Sequence, residues 1–254
     1  MREPLIVGNW KMNGGQAECL ELARQILRQL KQKPAHAEVA IAPPFTALSA
    51  IAKVPHRSRL KLVGQNCHWE TSGAFTGEIS PSMLSEFGCE YAIIGHSERR
   101  HLFHETNDMI ALKINAVVAH GMRPILCVGE TLEERQDSQT TAVIISQLNT
   151  ALKGFSKDAI DKLEIAYEPV WAIGTGLNAT PDQVSEVHQN IRNYLRSRFG
   201  GQNGDGVRIL YGGSVKPENA APLAEIDQVT GLLVGGASLK AESFLSIVSA
   251  FNQK

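Results

Sequence analysis

A chain of 254 residues, 43% hydrophobic and 20% charged, has ample apolar surface to offset the entropy of ordering, which excludes intrinsic disorder. Its 25 Lys and Arg against 26 Asp and Glu leave a formal charge of -1, so it offers no general attraction for nucleic acid, although a few local dipoles would still hold a small anion. No apolar run reaches the roughly 18 residues that span a membrane, and the start of the chain is too short in apolar residues for a secretory leader.

The elements alternate from end to end. Strands are predicted at Leu5–Gly8, Glu38–Ala42, Leu60–Gln65, Tyr91–Gly95, Pro124–Val128, Leu163–Tyr167, Val207–Tyr211 and Gly231–Val234. Most read as continuous apolar runs such as Tyr91-Ala92-Ile93-Ile94, the pattern of parallel strands buried on both faces. Between them lie helical spacings. Cys19, Leu22, Ile26 and Leu30 form one stripe within Glu18–Leu30. Thr180-Pro181-Asp182-Gln183 opens a helix with a hydroxyl cap and proline at the first position, and Ser80-Pro81 and Lys216-Pro217-Glu218 place proline alike.

Eight strands with crossovers predict a closed parallel (β/α)8 barrel, one domain over residues 1–254. An open doubly wound sheet would place Gly-x-Gly-x-x-Gly after its first strand, where this chain has Asn9-Trp10-Lys11-Met12-Asn13. The four cysteines, Cys19, Cys67, Cys89 and Cys127, show no Cys-x-x-Cys pairing and suggest a reducing, cytoplasmic setting. No His/Asp/Glu grouping has metal-ligand spacing, so no metal is expected.

Barrel active sites lie at the carboxyl ends of the strands. There this sequence places Asn9 and Lys11, Gln65-Asn66, His96-Ser97-Glu98-Arg99, Glu168-Pro169, Gly212-Gly213-Ser214 and Gly235-Gly236. Each glycine pair alone suits a tight turn. Two pairs after strands seven and eight point to bare N–H groups converging on a phosphate. A loop lysine is ordinarily a solvated charge. Lys11, two residues past an apolar strand and between Trp10 and Met12, points instead to a site, either neutralising an anion or forming a Schiff base with a carbonyl.

Glu168 ends the run Ile165-Ala166-Tyr167, where a carboxylate is costly unless it has a partner or a task. A strand-end salt bridge is the plainer account of it. His96, taken alone, reads as a satisfied structural histidine, as do His101, His104 and His120. The apolar, non-strand segment Pro169–Gly176 suits a lid over a substrate, or else a packed loop.

Taken together, Gly8-Asn9-Trp10-Lys11-Met12-Asn13, Gly73-Ala74-Phe75-Thr76-Gly77-Glu78 and Ile94-Gly95-His96-Ser97-Glu98-Arg99-Arg100 resemble the triosephosphate isomerase family. So do Ala166 to Gly176, Tyr211-Gly212-Gly213-Ser214-Val215 and Leu233-Val234-Gly235-Gly236-Ala237, and the likeness runs along essentially the whole chain. It implies a TIM barrel that interconverts dihydroxyacetone phosphate and glyceraldehyde 3-phosphate without a cofactor. Glu168 matches the family's base, and His96 the group that polarises the carbonyl as neutral imidazole. Asn9 and Lys11 match the substrate-binding pair, and Glu98 the acid beside that lysine. Gly174, Ser214, Gly235 and Gly236 match the residues whose N–H groups hold the phosphate.

The resemblance also places a lid at about residues 169–177. There Leu177 departs from the family's usual lysine, at the far hinge and away from the chemistry. Residues 65–80 resemble a loop that enters a second subunit, which implies a homodimer with Thr76 near the partner copy's site. Two other readings compete. A Schiff-base aldolase fits poorly, because its lysine usually sits on a later strand. A non-catalytic phosphometabolite-binding protein should have lost some of Lys11, His96 and Glu168, yet all three are present.

Overall fold

The computed structural model describes residues 2–55, 59–174 and 177–252. Eight strands form a closed barrel in sequence order. They are β1 (Leu5–Asn9), β2 (Glu38–Ala42), β3 (Lys61–Gly64), β4 (Cys89–Ile94), β5 (Arg123–Val128), β6 (Glu164–Tyr167), β7 (Arg208–Tyr211) and β8 (Gly231–Val234). Every pairing is parallel, and β1 closes the ring by pairing with β8, Leu5 opposite Gly231 and Gly8 opposite Val234. All eight predicted strands are present, two with the predicted ends and the others with ends that differ by at most two residues. The third strand stops at Gly64, which releases Gln65 to use its amide as a loop clamp.

Eleven α-helices stand among the described residues. The first seven are α1 (Gln16–Gln32), α2 (Phe45–Ala52), α3 (Pro81–Glu86), α4 (Ser97–Leu102), α5 (Asn107–Ala119), α6 (Leu132–Gln136) and α7 (Thr140–Ala151). The last four are α8 (Pro181–Phe199), α9 (Gly201–Gly206), α10 (Pro217–Glu225) and α11 (Ala241–Ser249). The apolar stripe of α1 buries Cys19, Ala23, Ile26 and Leu30, and the helix outruns its predicted ends by two residues on either side. Its start is held by the Glu18 carboxylate, which accepts from Gly15 N at 2.8 Å. Thr180 caps α8 as the sequence suggests: Thr180 Oγ1 accepts from Gln183 N, and Gln183 Oε1 accepts from Thr180 N.

Strand alternation divides the core into two layers. Leu5, Val7, Val63, Ile93, Ile125, Cys127, Leu210 and Leu233 fill the barrel interior with the small Ala40, Ala42 and Ala166. Their neighbours Ile6, Leu62, Leu126, Ile165, Ile209 and Leu232 face the helices. The runs are continuously apolar because both faces are buried. All four cysteines are buried and free, and burial pushes the Cys67 thiol up to about 12.

An ionic network absent from the sequence reading sits at the opposite, amino-terminal end of the strands. Arg208 Nη2 donates to Glu164 Oε1 and to Tyr91 Oη, both at 2.8 Å, and Arg208 Nε donates to Glu164 Oε2 at 3.1 Å. Tyr91 Oη donates to Glu38 Oε1 at 2.6 Å, and Arg123 Nε donates to Glu164 Oε1 at 3.0 Å. Burial pushes the Tyr91 hydroxyl well above the usual phenol range, so it keeps its donor proton. Removing one member of such a pair leaves an uncompensated buried charge. Arg208→Met should therefore cost about 3–5 kcal/mol in urea unfolding, and a loss under ~1 kcal/mol would show that the network is not needed for stability.

Candidate active site

Every strand points the same way, so all eight carboxyl ends open on one mouth. A cavity of about 490 Å³ occupies it, and Asn9, Lys11, His96, Glu168, Gly174, Ser214, Gly235 and Gly236 all line it. These eight residues come from five separate stretches of sequence. Two of the residues singled out from the sequence lie elsewhere. Glu98 lines a second hollow of about 350 Å³ that shares Lys11, His96 and Asn9 with the first. Thr76 lies exposed on the 65–80 segment and faces neither cavity.

Lys11 occupies a strained backbone, with φ at +51°. A left-handed conformation costs a residue other than glycine about 1 kcal/mol or more, so the surroundings must hold it. Asn9 Oδ1 accepts from Lys11 N at 3.0 Å, and Gln65 Nε2 donates to both Lys11 O and Ala42 O at 2.8 Å. The half-buried ammonium meets Glu98 Oε1 at 2.6 Å.

His96 sits at the cap position of α4, and its Nδ1 accepts from Glu98 N at 3.2 Å. The Glu98 carboxylate is 3.7 Å from the same nitrogen, so the backbone N–H is the nearer partner. A ring nitrogen that accepts a hydrogen bond carries no proton, which leaves the proton on Nε2. Nε2 lies 3.1 Å from Glu168 Oε1 but outside hydrogen-bond geometry. The other carboxylate oxygen, Oε2, accepts from Ser97 N at 2.8 Å. Glu168 is thus buried, held on the first N–H of a helix and in contact with the imidazole.

The two glycine pairs serve different ends. A side chain at Gly212 would come within 2.9 Å of Glu168 Cγ, and one at Gly213 would collide with the Tyr211 ring, so this pair makes room for the site's own groups. Gly235 has only Lys11 Cε nearby, at 3.7 Å, and a side chain at Gly236 would meet nothing within 4 Å. That second pair leaves open backbone beside the cavity, the arrangement expected for a bound anion.

The segment after Glu168 begins as a short 3-10 turn, Val170–Ala172, and Ile173 and Gly174 line the cavity. Thr175 and Gly176, part of the lid expected from the sequence, lie outside the described residues, and Leu177 is exposed. Glu130, which the sequence reading missed, fastens the near end: its Oε1 accepts from Trp171 Nε1 at 2.9 Å and Tyr167 Oη at 3.1 Å. Burial pushes the Glu130 carboxyl up, against the pull of those two donors. Its only sequence signal is position, two residues beyond β5. Among the described residues no group of three or more His, Cys, Asp or Glu is arranged to hold a metal ion. None of the described helices is long and apolar enough to cross a membrane.

Comparison with known proteins agrees with this fold. The family model described as triosephosphate isomerase matches residues 4–251. The triosephosphate isomerase of Chlorobium phaeovibrioides is 50% identical over 98% of this chain and 99% of its own. That of Caldanaerobacter subterraneus is 47% identical over 98% of this chain and all of its own. The crystal structure of triosephosphate isomerase from Bartonella henselae superposes with a TM-score of 0.90 at 40% identity, covering both chains in full. With a family model spanning nearly the whole chain and relatives this similar, the chain belongs to the triosephosphate isomerase family.

Proposed function

We propose that this enzyme interconverts dihydroxyacetone phosphate and glyceraldehyde 3-phosphate by moving a proton between adjacent carbons, with Glu168 as the base. The observation that carries this reading is the convergence of Glu168, His96 and Lys11 on one cavity, with the open Gly235-Gly236 backbone at its side. Glu168 takes a proton from the carbon next to the carbonyl, and the C–H electron pair forms the enediolate double bond. His96 Nε2–H hydrogen-bonds the carbonyl oxygen as it gains charge, and the Lys11 ammonium stabilises that charge. The neutral His96 ring gives its Nε2 proton to that oxygen and takes the proton of the adjacent hydroxyl, which becomes the new carbonyl as Glu168 returns its own proton to the neighbouring carbon. Electrons stay within the substrate, so the reaction calls for no redox cofactor.

N–H groups of Gly174, Ser214, Gly235 and Gly236 hold the phosphate in this scheme, and Asn9 orients both substrate and Lys11. Glu98 keeps the ammonium aimed at the site, which suits charge stabilisation better than the free amine an aldolase needs. An enediol phosphate in water tends to expel its phosphate, so residues 169–177 act as a lid that excludes solvent. Glu168, held on Ser97 N–H, turns from that contact to meet the substrate.

A homodimer fits the surface. Met12 and Phe103, exposed at 97% and 63%, line the smaller hollow; Leu102, at 69%, precedes Phe103 in the chain, and Phe75, at 42%, lies on the 65–80 loop. Exposed apolar groups clustered in this way mark an interface. The loop of one copy, with Thr76 at its tip, enters the hollow beside Lys11 and Glu98 of the other. The buried, free thiols suit a cytoplasmic location.

Purified protein should convert glyceraldehyde 3-phosphate in a coupled assay, and absence of turnover would sink the isomerase mechanism. Glu168→Asp, which withdraws the carboxylate by one methylene, should lower kcat by about 10²-fold or more with KM changed only a few-fold. Near-parental turnover in Glu168→Gln would remove that residue as the base. Nitrogen NMR of His96 at neutral pH should show a protonated Nε2 and a bare Nδ1, and a doubly protonated ring would contradict its role as a neutral donor. Thr76→Arg should shift sedimentation from dimer to monomer and reduce activity, whereas a fully active monomer of the parent chain would refute the shared site.

A further inference from the structure

Two lysines that the mechanism does not use, Lys216 and Lys240, also line the mouth cavity. Each follows one of the anion-binding loops: Lys216 comes two residues after Ser214, and Lys240 four residues after Gly236. Lys216 is the cap residue of α10 and Lys240 that of α11. Lysine is an unfavourable choice at both places. Helix N-termini carry partial positive charge, and their caps favour Ser, Thr, Asp or Asn. Neither lysine side chain makes a capping hydrogen bond; Asn219 Oδ1 accepts from Lys216 N instead, at 2.8 Å. A local rule broken twice at one site, with no capping bond gained, calls for a functional reason.

Charge at the cavity gives that reason. Its lining holds three lysines, Lys11, Lys216 and Lys240, against one carboxylate, Glu168. Lys11 is paired with Glu98, and Glu168 is held by Ser97 N–H. Lys216 and Lys240 are exposed, and among the described residues no carboxylate lies within ion-pair distance of either. Glu218 and Glu242 stand in the first turns of α10 and α11, and Glu242 lines, with Glu18 and Glu21, a hollow against α1 that Lys240 also borders, yet none of these acids is within ion-pair distance of that lysine. Among the groups lining the mouth, the positive charge without an ion-pair partner therefore resides on these two side chains, on a chain whose net charge is -1.

We propose that Lys216 and Lys240 form a cationic rim that draws phosphate dianions to the mouth and turns their phosphate end towards Ser214 and Gly235-Gly236. The rim acts before and beside the direct backbone contacts, as a long-range field and not as a set of hydrogen bonds. It rests on the isomerase reading only for the identity of the substrate. Any small phosphate ester of similar charge would be drawn in the same way.

The test is the double variant K216Q/K240Q, measured against the parent across ionic strength. At about 10 mM ionic strength, where the screening length is ~30 Å, kcat/KM should fall roughly 3- to 10-fold with kcat within about twofold. Near 0.5 M salt, where screening is complete within several ångströms, the gap should close to under about twofold. Inorganic phosphate, titrated without any substrate, should lose affinity in the same salt-dependent way. K216R/K240R should restore both, and the melting temperature should not drop in either variant. Unchanged salt slope and unchanged phosphate affinity in K216Q/K240Q would overturn the rim while leaving the isomerase mechanism intact. Lysine-dependent phosphate binding by a parent protein without turnover would sustain the rim and defeat the mechanism instead.

Discussion

Closure of the sheet is the constraint on which everything else depends. Because β1 pairs with both β2 and β8, the ring has no edge, and all eight of its strands run in the same sense. The first and last segments of the chain are thereby neighbours, which puts Lys11 Cε 3.7 Å from the position a side chain at Gly235 would occupy. No local interaction brings those residues together; the hydrogen bonds of the ring do. The same closure gathers the strand starts at the far end, where Glu38, Arg123, Glu164 and Arg208 each lie at the first position of a strand. One end of the barrel neutralises its charges internally, and the other leaves them available to a ligand.

The mouth combines a rigid frame with one strained loop. Lys11 has a left-handed backbone, and three hydrogen bonds from Asn9 and Gln65 hold the loop around it. Glu168 is fixed differently: its backbone N–H continues the ladder to Val128 O at 2.8 Å, while its carboxylate bonds a helix N–H that a side-chain rotation would release. Backbone order with a single side-chain hydrogen bond suits the change of partners that the proposed base requires. Glu130 joins β5 to the segment after β6 by accepting from Tyr167 and Trp171 together. The start of the proposed lid is thus anchored through the same strand end that carries Glu168.

Much of this was legible in the sequence because it follows from periodicity and position. Continuous apolar runs identify strands buried on both sides, and the residue after each run marks the mouth, so Asn9, Lys11, His96 and Glu168 stand out without coordinates. What stayed hidden depends on contacts between distant segments. Arg208 and Tyr91 are 117 residues apart, and neither has a neighbour in sequence that reveals the other. Glu130 looks like an ordinary loop acid until Trp171 is seen against it. The glycines at 212 and 213 read as phosphate ligands, yet their small size first serves Glu168 and Tyr211, which no spacing rule could show. Lys216 registered only as the residue before a helix-starting proline, and its exposure beside the cavity is a tertiary fact.

Near-zero net charge therefore describes this molecule poorly. Its charges are sorted by place. At the floor, Arg2, Arg123 and Arg208 converge on Glu164, with Glu38 completing the set, and burial makes that pairing obligatory. Around the mouth, Lys11 has its own acid, while the lysines that follow strands seven and eight have none. A uniform field would attract every polyanion in its surroundings, whereas a small unpaired patch within a neutral surface attracts over little more than a screening length. Selectivity for a small dianion over a large polymer then requires no pocket closed to the polymer. It follows from limiting the uncompensated charge to the rim of one cavity.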